Sequence, residues 1–304
     1  MRKRDGILNK YSVVQRGEVK WAYLFIAPQM IGLAVFTLGP ILYAGYLSFT
    51  KWNLIKPPQW VGVQNYLDQL QDPAFGNLLR NTVFITAGYI PLVMIVSLAM
   101  ALALNQKLRF TVVYRTAYFM PVVTSLVAIA LVWRWVLQPD FGLVNYLLSL
   151  IGIEGPTWLS STKWAIPGLI FMRVWWGAGF YMVIFLAGLQ GIPQEYQDAA
   201  KVDGASAWQR FRHVTLPLLS PTTFFVFIMA SIWTLQIFDQ VFIMTGGGPG
   251  EATEVFLLRI YRLAFRYFRM GDAAALSMIL FLIIGCFTFF QSRYAQRWVH
   301  YDLS

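Results

Sequence analysis

Charge is scarce in this sequence: Asp, Glu, Lys and Arg together make up 12% of its 304 residues, against roughly 25% in an average soluble chain. That shortage excludes an ordinary water-soluble domain. Cysteine is nearly absent. The single Cys286 forms no internal disulfide, and its place in the last apolar run, with no metal-ligand spacing around it, reads as packing. The two histidines, His213 and His300, and the scattered acids give neither a metal site nor a nucleophile with its base. No G-x-x-x-x-G-K-S/T stretch occurs, and the GGGPG run at 246–250 has no following Lys, so ATP is not hydrolysed by this chain. Low-complexity tracts and domain-sized insertions are also lacking. Any extracytoplasmic domain therefore comes from another chain.

What the sequence does hold is apolar: 58% of its residues are hydrophobic, and aromatics alone make up 17% of the chain. Six runs are long enough to cross about 30 Å of hydrocarbon as helices, at 21–49, 82–104, 113–137, 164–189, 218–244 and 273–290. Helices are expected because lipid offers backbone groups no partners and the runs lack the alternation of barrel strands. The net charge of +10 does not point to nucleic acid, since Lys and Arg sit in short connectors, as in polytopic membrane proteins. With both ends inside, 14 of the 24 basic residues fall in inner segments and 8 in outer ones, so both termini are expected in the cytoplasm. Four of the outer eight, Arg259, Arg262, Arg266 and Arg269, recur at helical spacing opposite Leu257, Tyr261, Ala264, Phe265 and Phe268. They predict a helix on the outer surface, either anchored among lipid phosphates or presented to an outside partner.

Between the fourth and fifth runs lies DAAKVDGASAWQRFRHVTLPLLSP, residues 198–221, too polar for a bilayer core. Pro193 suits a helix start, Gln194 to Val202 a short helix, Gly204 a change of direction, and Ala205 to His213 a second short helix before Pro217. The bland reading is a tight turn joining two spans. The spacing is more specific than that. Asp198-Ala199-Ala200, three residues, Gly204, nine residues, then Val214-Thr215-Leu216-Pro217 resembles the cytoplasmic loop of importer permeases of the ATP-binding cassette superfamily, with Asp for Glu and Val for Ile. GPILYAGYLSFTKW at 39–52, TGGGP at 245–249 and YRLAFRYFRMGDAAALS at 261–277 are similar to its carbohydrate-uptake branch, the maltose and glycerol-phosphate permease type.

The resemblance implies an all-α membrane protein of type I importer fold: six transmembrane helices over 21–290, a coupling-helix loop at 190–220, a cytoplasmic N-terminal segment at 1–20 and a cytoplasmic tail at 291–304. It implies that the loop inserts into a cleft of a separate ATPase, with Asp198, Ala199, Ala200, Asp203 and Gly204 at the contact. It further implies a second homologous permease, two ATPase subunits that use ATP and magnesium, an extracytoplasmic solute-binding protein, and a place in a bacterial or archaeal cytoplasmic membrane, with no cofactor or metal held by this chain.

Ionisable residues inside spans mark functional sites by default, and Arg173 and Asp239 stand out. Both fall in the outer half of the bilayer, where they pair with each other to hold two helices or meet substrate. Trp176, Gly177 and Phe180 share one helical face with Arg173, and Ala230, Trp233 and Thr234 form a similar face in the fifth run. Such faces either pack or stack on the C–H face of a sugar ring; the family's sugar contacts fall on the equivalent spans. Arg173 suits an acidic sugar, a phosphate or a hydrogen bond to a neutral sugar. The rival readings are an ion-coupled secondary transporter, which calls for repeated broken helices and more intramembrane carboxylates, and a membrane enzyme, which calls for clustered acids or histidines.

Overall fold

The computed structural model describes residues 13–106, 109–295 and 299. Most of the N-terminal segment, Lys107 and most of the 291–304 tail, with His300, lie outside the described residues.

The chain is a bundle of helices whose direction changes are set largely by proline. α1 (Val13–Leu33) passes through a π-helical turn at Ala34–Leu38 into α2 (Gly39–Leu47). Pro40 has no N–H to give to Phe36, and the Gly39 N–H reaches back five residues to the Ala34 carbonyl, widening the turn. No residue of the most apolar stretch of this 28-residue span, Lys20–Leu47, is buried against the rest of the chain. A two-residue hairpin, β1 (Thr50–Lys51) on β2 (Gln59–Trp60), and α3 (Gln64–Gln71) follow. Buried Asn65 of α3 donates to the Ser48 and Thr50 carbonyls, each at 2.9 Å, which fixes the hairpin to the end of α2.

α4 (Pro73–Leu104) begins with Asp72 as N-cap, its carboxylate accepting from the Ala74 N–H at 2.9 Å, and Pro73 in the first turn. It starts nine residues before the apolar run because its polar first turns are still helical. The third run is not one straight span. α5 (Thr111–Val123) and α6 (Leu126–Val136) meet at 96° across Thr124 and Ser125. Pro121 removes a backbone donor, and the Thr124 hydroxyl instead donates to the Met120 carbonyl at 3.1 Å. α7 (Leu143–Ser149) leads to α8 (Ala165–Gln190), an unbroken span.

The polar loop contributes α9 (Gln194–Val202), α10 (Ala207–Arg210), a π-helical turn at Phe211–Thr215 and α11 (Leu216–Leu218). The chain then bends by 66° into α12 (Ser220–Leu235). The fifth span ends here rather than at residue 244: Gln236 to Phe238 leave helical geometry, and α13 (Asp239–Met244) is a separate short helix. α14 (Phe256–Tyr261), a π-helical turn at Arg262–Arg266 and α15 (Met270–Ala295) complete the chain. Among the described residues, four helices are thus long and apolar enough to cross a membrane unbroken, and the number is six when each bent pair is taken as one span.

The central contact is α4 against α8, joined by α12. Tyr89, Val93, Tyr181, Met182, Phe185 and Val226 are buried in it. A second cluster, with Ile85, Trp133, Leu169, Met172 and Val241, ties α6 and α13 to the same two helices. α5 lies on α8 so closely that a Cβ on Gly179 would collide with the Tyr118 carbonyl oxygen; only glycine permits this backbone approach.

Candidate functional site

The polar loop folds as a knob at one end of the bundle. α9 carries Asp198, Ala199 and Ala200; Asp203 closes its last turn, and Gly204 follows at φ +77°, a left-handed conformation that reverses the chain. Ser206 then starts α10 with a capping box: its hydroxyl accepts from the Gln209 N–H at 3.3 Å while the Gln209 side chain accepts from the Ser206 N–H at 2.8 Å. The second helix is shorter than the sequence suggests, because Pro217 forces the π-helical turn at Phe211–Thr215. Asp198, Ala199, Asp203 and Gly204 are exposed and Ala200 is half-buried. Val202 is 88% exposed and Trp208 65% exposed, so the knob presents apolar side chains that nothing among the described residues covers. The Asp198 carboxylate accepts from Lys201 at 2.7 Å and from Gln194 at 3.3 Å, and the ammonium beside it holds its pKa below the usual carboxylate value. Its side chain is therefore engaged within α9.

The second group lies in the bundle interior. Arg173 of α8 is 6% exposed. Its Nη1 donates to Gln240 Oε1 at 2.9 Å and its Nη2 to the Trp233 carbonyl at 2.8 Å, while its guanidinium sits 5.1 Å from the centre of the Tyr89 ring. The expected partner, Asp239, is not used: the fifth helix ends before it, the carboxylate is exposed at the start of α13, and no ion pair joins it to Arg173. Phe180 and Trp233 come together, ring centres 5.1 Å apart, with Tyr181 in edge contact with Phe180. Gly177 leaves room for the Tyr89 hydroxyl, which an added Cβ would meet at 2.6 Å. Trp176 is half-buried and its indole N–H has no partner. Ala230 and Thr234 are fully buried, the Thr234 hydroxyl donating to the Ala230 carbonyl at 2.6 Å on its own helix. The structure thus brings Arg173, Phe180 and Trp233 into one cluster, and keeps Asp239 apart from it. Tyr89, Tyr181 and Gln240 belong to that cluster and carried no sequence signal beyond being polar-tipped residues in apolar runs.

At the end of the bundle opposite the knob, the arginine stripe turns inward over much of its length. Glu254, 1% exposed, accepts from Arg262 at 2.6 Å, with Arg259 3.9 Å away and itself bonded to Asp72 at 2.9 Å. Arg262 also donates to the Gly246 carbonyl, and Asn81 donates to the Glu251 and Glu254 carbonyls at 2.9 and 3.0 Å. Arg259 and Arg262 therefore clamp the glycine-rich loop rather than facing lipid. Arg266 is exposed, and Arg269 pairs with Asp272 at 2.8 Å.

Comparison with known proteins follows the same outline. Residues 94–299 match the family described as binding-protein-dependent transport system inner membrane component. A probable ABC transporter permease protein of Bacillus subtilis is 35% identical over 285 residues, 92% of each chain. The lactose transport system permease protein of Rhizobium radiobacter is 36% identical over 90% of this chain and 93% of its own. The trehalose/maltose transport system permease protein of Thermococcus litoralis is 33% identical over 92% and 95%. Among solved structures, a chain of a bacterial alginate ABC transporter, crystallised with an alginate pentasaccharide-bound periplasmic protein, superposes with a TM-score of 0.82 over 94% of this chain and 97% of that one, at 22% identity. That likeness establishes the fold.

Proposed function

The chain belongs to the family of binding-protein-dependent transport system inner membrane components, and from that premise we propose that it is one permease subunit of an ATP-driven importer of a sugar, oligosaccharide or sugar derivative. The sugar-transport permeases among its relatives, aligned over nearly their whole length, support the substrate class. The observation that carries the mechanism is the knob: a capped two-helix projection with Val202 and Trp208 uncovered, on a bundle otherwise built for lipid. Its solvent is another protein, a cytoplasmic ATPase.

In this reading the knob end and both termini are cytoplasmic, and the end carrying the 245–254 loop faces outward. A solute-binding protein delivers the sugar there, a second permease completes the pathway, and two ATPase subunits consume ATP with magnesium; this chain performs no catalysis and holds neither. ATP closing the ATPases moves the knob, and α9 to α11 pass that motion to α8 and α12, between which Arg173, Phe180 and Trp233 lie. Loaded binding protein and ATP must favour the same shift, since a ligand moves an equilibrium only by its differential affinity for the two states.

The test is ATP hydrolysis by the reconstituted complex with sugar-loaded binding protein, wild type against Gly204→Asp. No atom lies within 4 Å of a Cβ at this position, and aspartate tolerates the left-handed backbone better than most residues, so the variant alters the docking surface and leaves the turn folded. Stimulation by loaded binding protein should fall at least about tenfold, the factor carried by roughly 1.4 kcal/mol of lost coupling. Full stimulation in the variant removes the knob from the coupling path.

A further inference from the structure

Arg173 is a buried cation without a counter-ion. No described carboxylate pairs with it, and the groups around it, Tyr89, Tyr181, Gln240 and the Trp233 carbonyl, are neutral. Buried charges in membrane spans are ordinarily paired, because taking one out of water unpaired is costly. The site is also unbalanced in hydrogen bonding. Arg173 Nε and Gln240 Nε2 are both buried donors without partners. The Gln240 side-chain oxygen accepts from Arg173, which leaves its amide N–H groups facing the same site.

A neutral sugar hydroxyl brings a donor with every acceptor, whereas a carboxylate brings two acceptors, no donor and one negative charge. Water would satisfy the donors and leave the charge. A second observation lies above. A cleft of about 840 Å³ between the outward ends of α4 and α8 has Arg80 and Lys163 at its rim, neither in an ion pair among the described residues, and Phe84, Ile166 and Ile170 on its walls. Ile170 precedes Arg173 by one helical turn. Positive charge thus marks both the mouth and the interior of the same helix pair.

We infer that the sugar carried by this permease is an acidic one, whose carboxylate is drawn in past Arg80 and Lys163 and supplies the missing counter-charge to Arg173. This rests on the importer reading above. In the conformation described, the site is closed over Arg173, and the carboxylate reaches it when α8 and α12 part.

The experiment is uptake into proteoliposomes holding the complete importer, driven by ATP and its binding protein. The probes are di- and trisaccharides containing one hexuronic acid, each paired with its carboxyl-reduced neutral counterpart. The acidic member of at least one pair should be imported and its neutral counterpart at least about tenfold more slowly. Arg173→Gln should cut acidic uptake at least about tenfold, and Arg173→Lys should retain part of it. Import of neutral members alone, or Arg173→Gln with undiminished acidic uptake, overturns the inference and leaves the importer reading intact; import of no saccharide overturns both. Should Arg173→Gln fail to assemble, the exposed pair Arg80→Gln with Lys163→Gln decides. It should raise the half-saturating concentration severalfold and flatten the dependence of uptake on ionic strength, and no change in either overturns the inference.

Discussion

At the scale of single residues, Asp198 shows how local chemistry can occupy a group that a sequence pattern assigns elsewhere. The acid that heads the 198–217 motif accepts from Lys201 and Gln194 on its own helix, and those donors favour the charged form. Its folded pKa therefore lies below the unfolded one. The sign follows: whatever the pair adds to α9 is fully present above the ordinary aspartate value of about 3.9 and is lost as pH falls through the depressed folded value. A carboxyl-carbon NMR titration of the solubilised protein should place the Asp198 midpoint below about 3.9, and Lys201→Met should bring it back up. A wild-type midpoint at or above the ordinary value would mean that the pair does not form in solution. Arg173 was legible in the sequence for an opposite reason: a cation in an apolar run is rare enough to announce itself. Its partners were not. Gln240 and Tyr89 announce nothing alone, and only the turn at 236–238, which ends α12 and restarts the chain as α13, brings the amide rather than Asp239 to the guanidinium.

Elements were legible where lipid and core ask for the same residues. All six apolar runs became helix, because both environments demand internal backbone hydrogen bonds and apolar side chains. Their breaks were harder to read. The bend between α5 and α6 follows Pro121, yet α4 runs on through Pro91 and α1 through Pro28, so proline alone does not say where a span will turn; what packs beside it does. The arginine stripe was misjudged in part because periodicity reports a face and not what covers it. Glu254, outside that stripe, draws Arg262 and Arg259 inward and so holds the 245–254 loop. Glu254→Gln keeps the shape and removes the charge. With both arginines about one-fifth exposed, a cost of about 2–3 kcal/mol is expected, somewhat below that of breaking a wholly buried pair. Limited proteolysis should cut the loop faster in this variant, whereas Asp72→Asn, at a more exposed pair, should change cleavage little. Equal cleavage in wild type and Glu254→Gln would remove the clamp.

For the whole molecule, the decisive contact is the one with no side chain in it. α5 and α8 meet at Gly179 and the Tyr118 carbonyl, and a methyl group there collides with backbone, which has no rotamer to yield. Gly179→Ala should cost about 3 kcal/mol, the upper end of overpacking penalties, lowering the melting temperature by about 6–12 °C at roughly 2–4 °C per kcal/mol. Gly32→Ala, in a helix with nothing within 4 Å of the new atom, should leave it unchanged or slightly higher. Equal melting of the two variants would show that the helices separate freely. If they do not, Gly179 is a fulcrum. From it α8 extends ~17 Å to Gln190 beside the knob and ~21 Å to Ala165 at the far end, at 1.5 Å per residue. A rod pivoted near its middle swings its two ends in opposite directions by nearly equal amounts, so a thrust at the knob closes one mouth in the same stroke that opens the other.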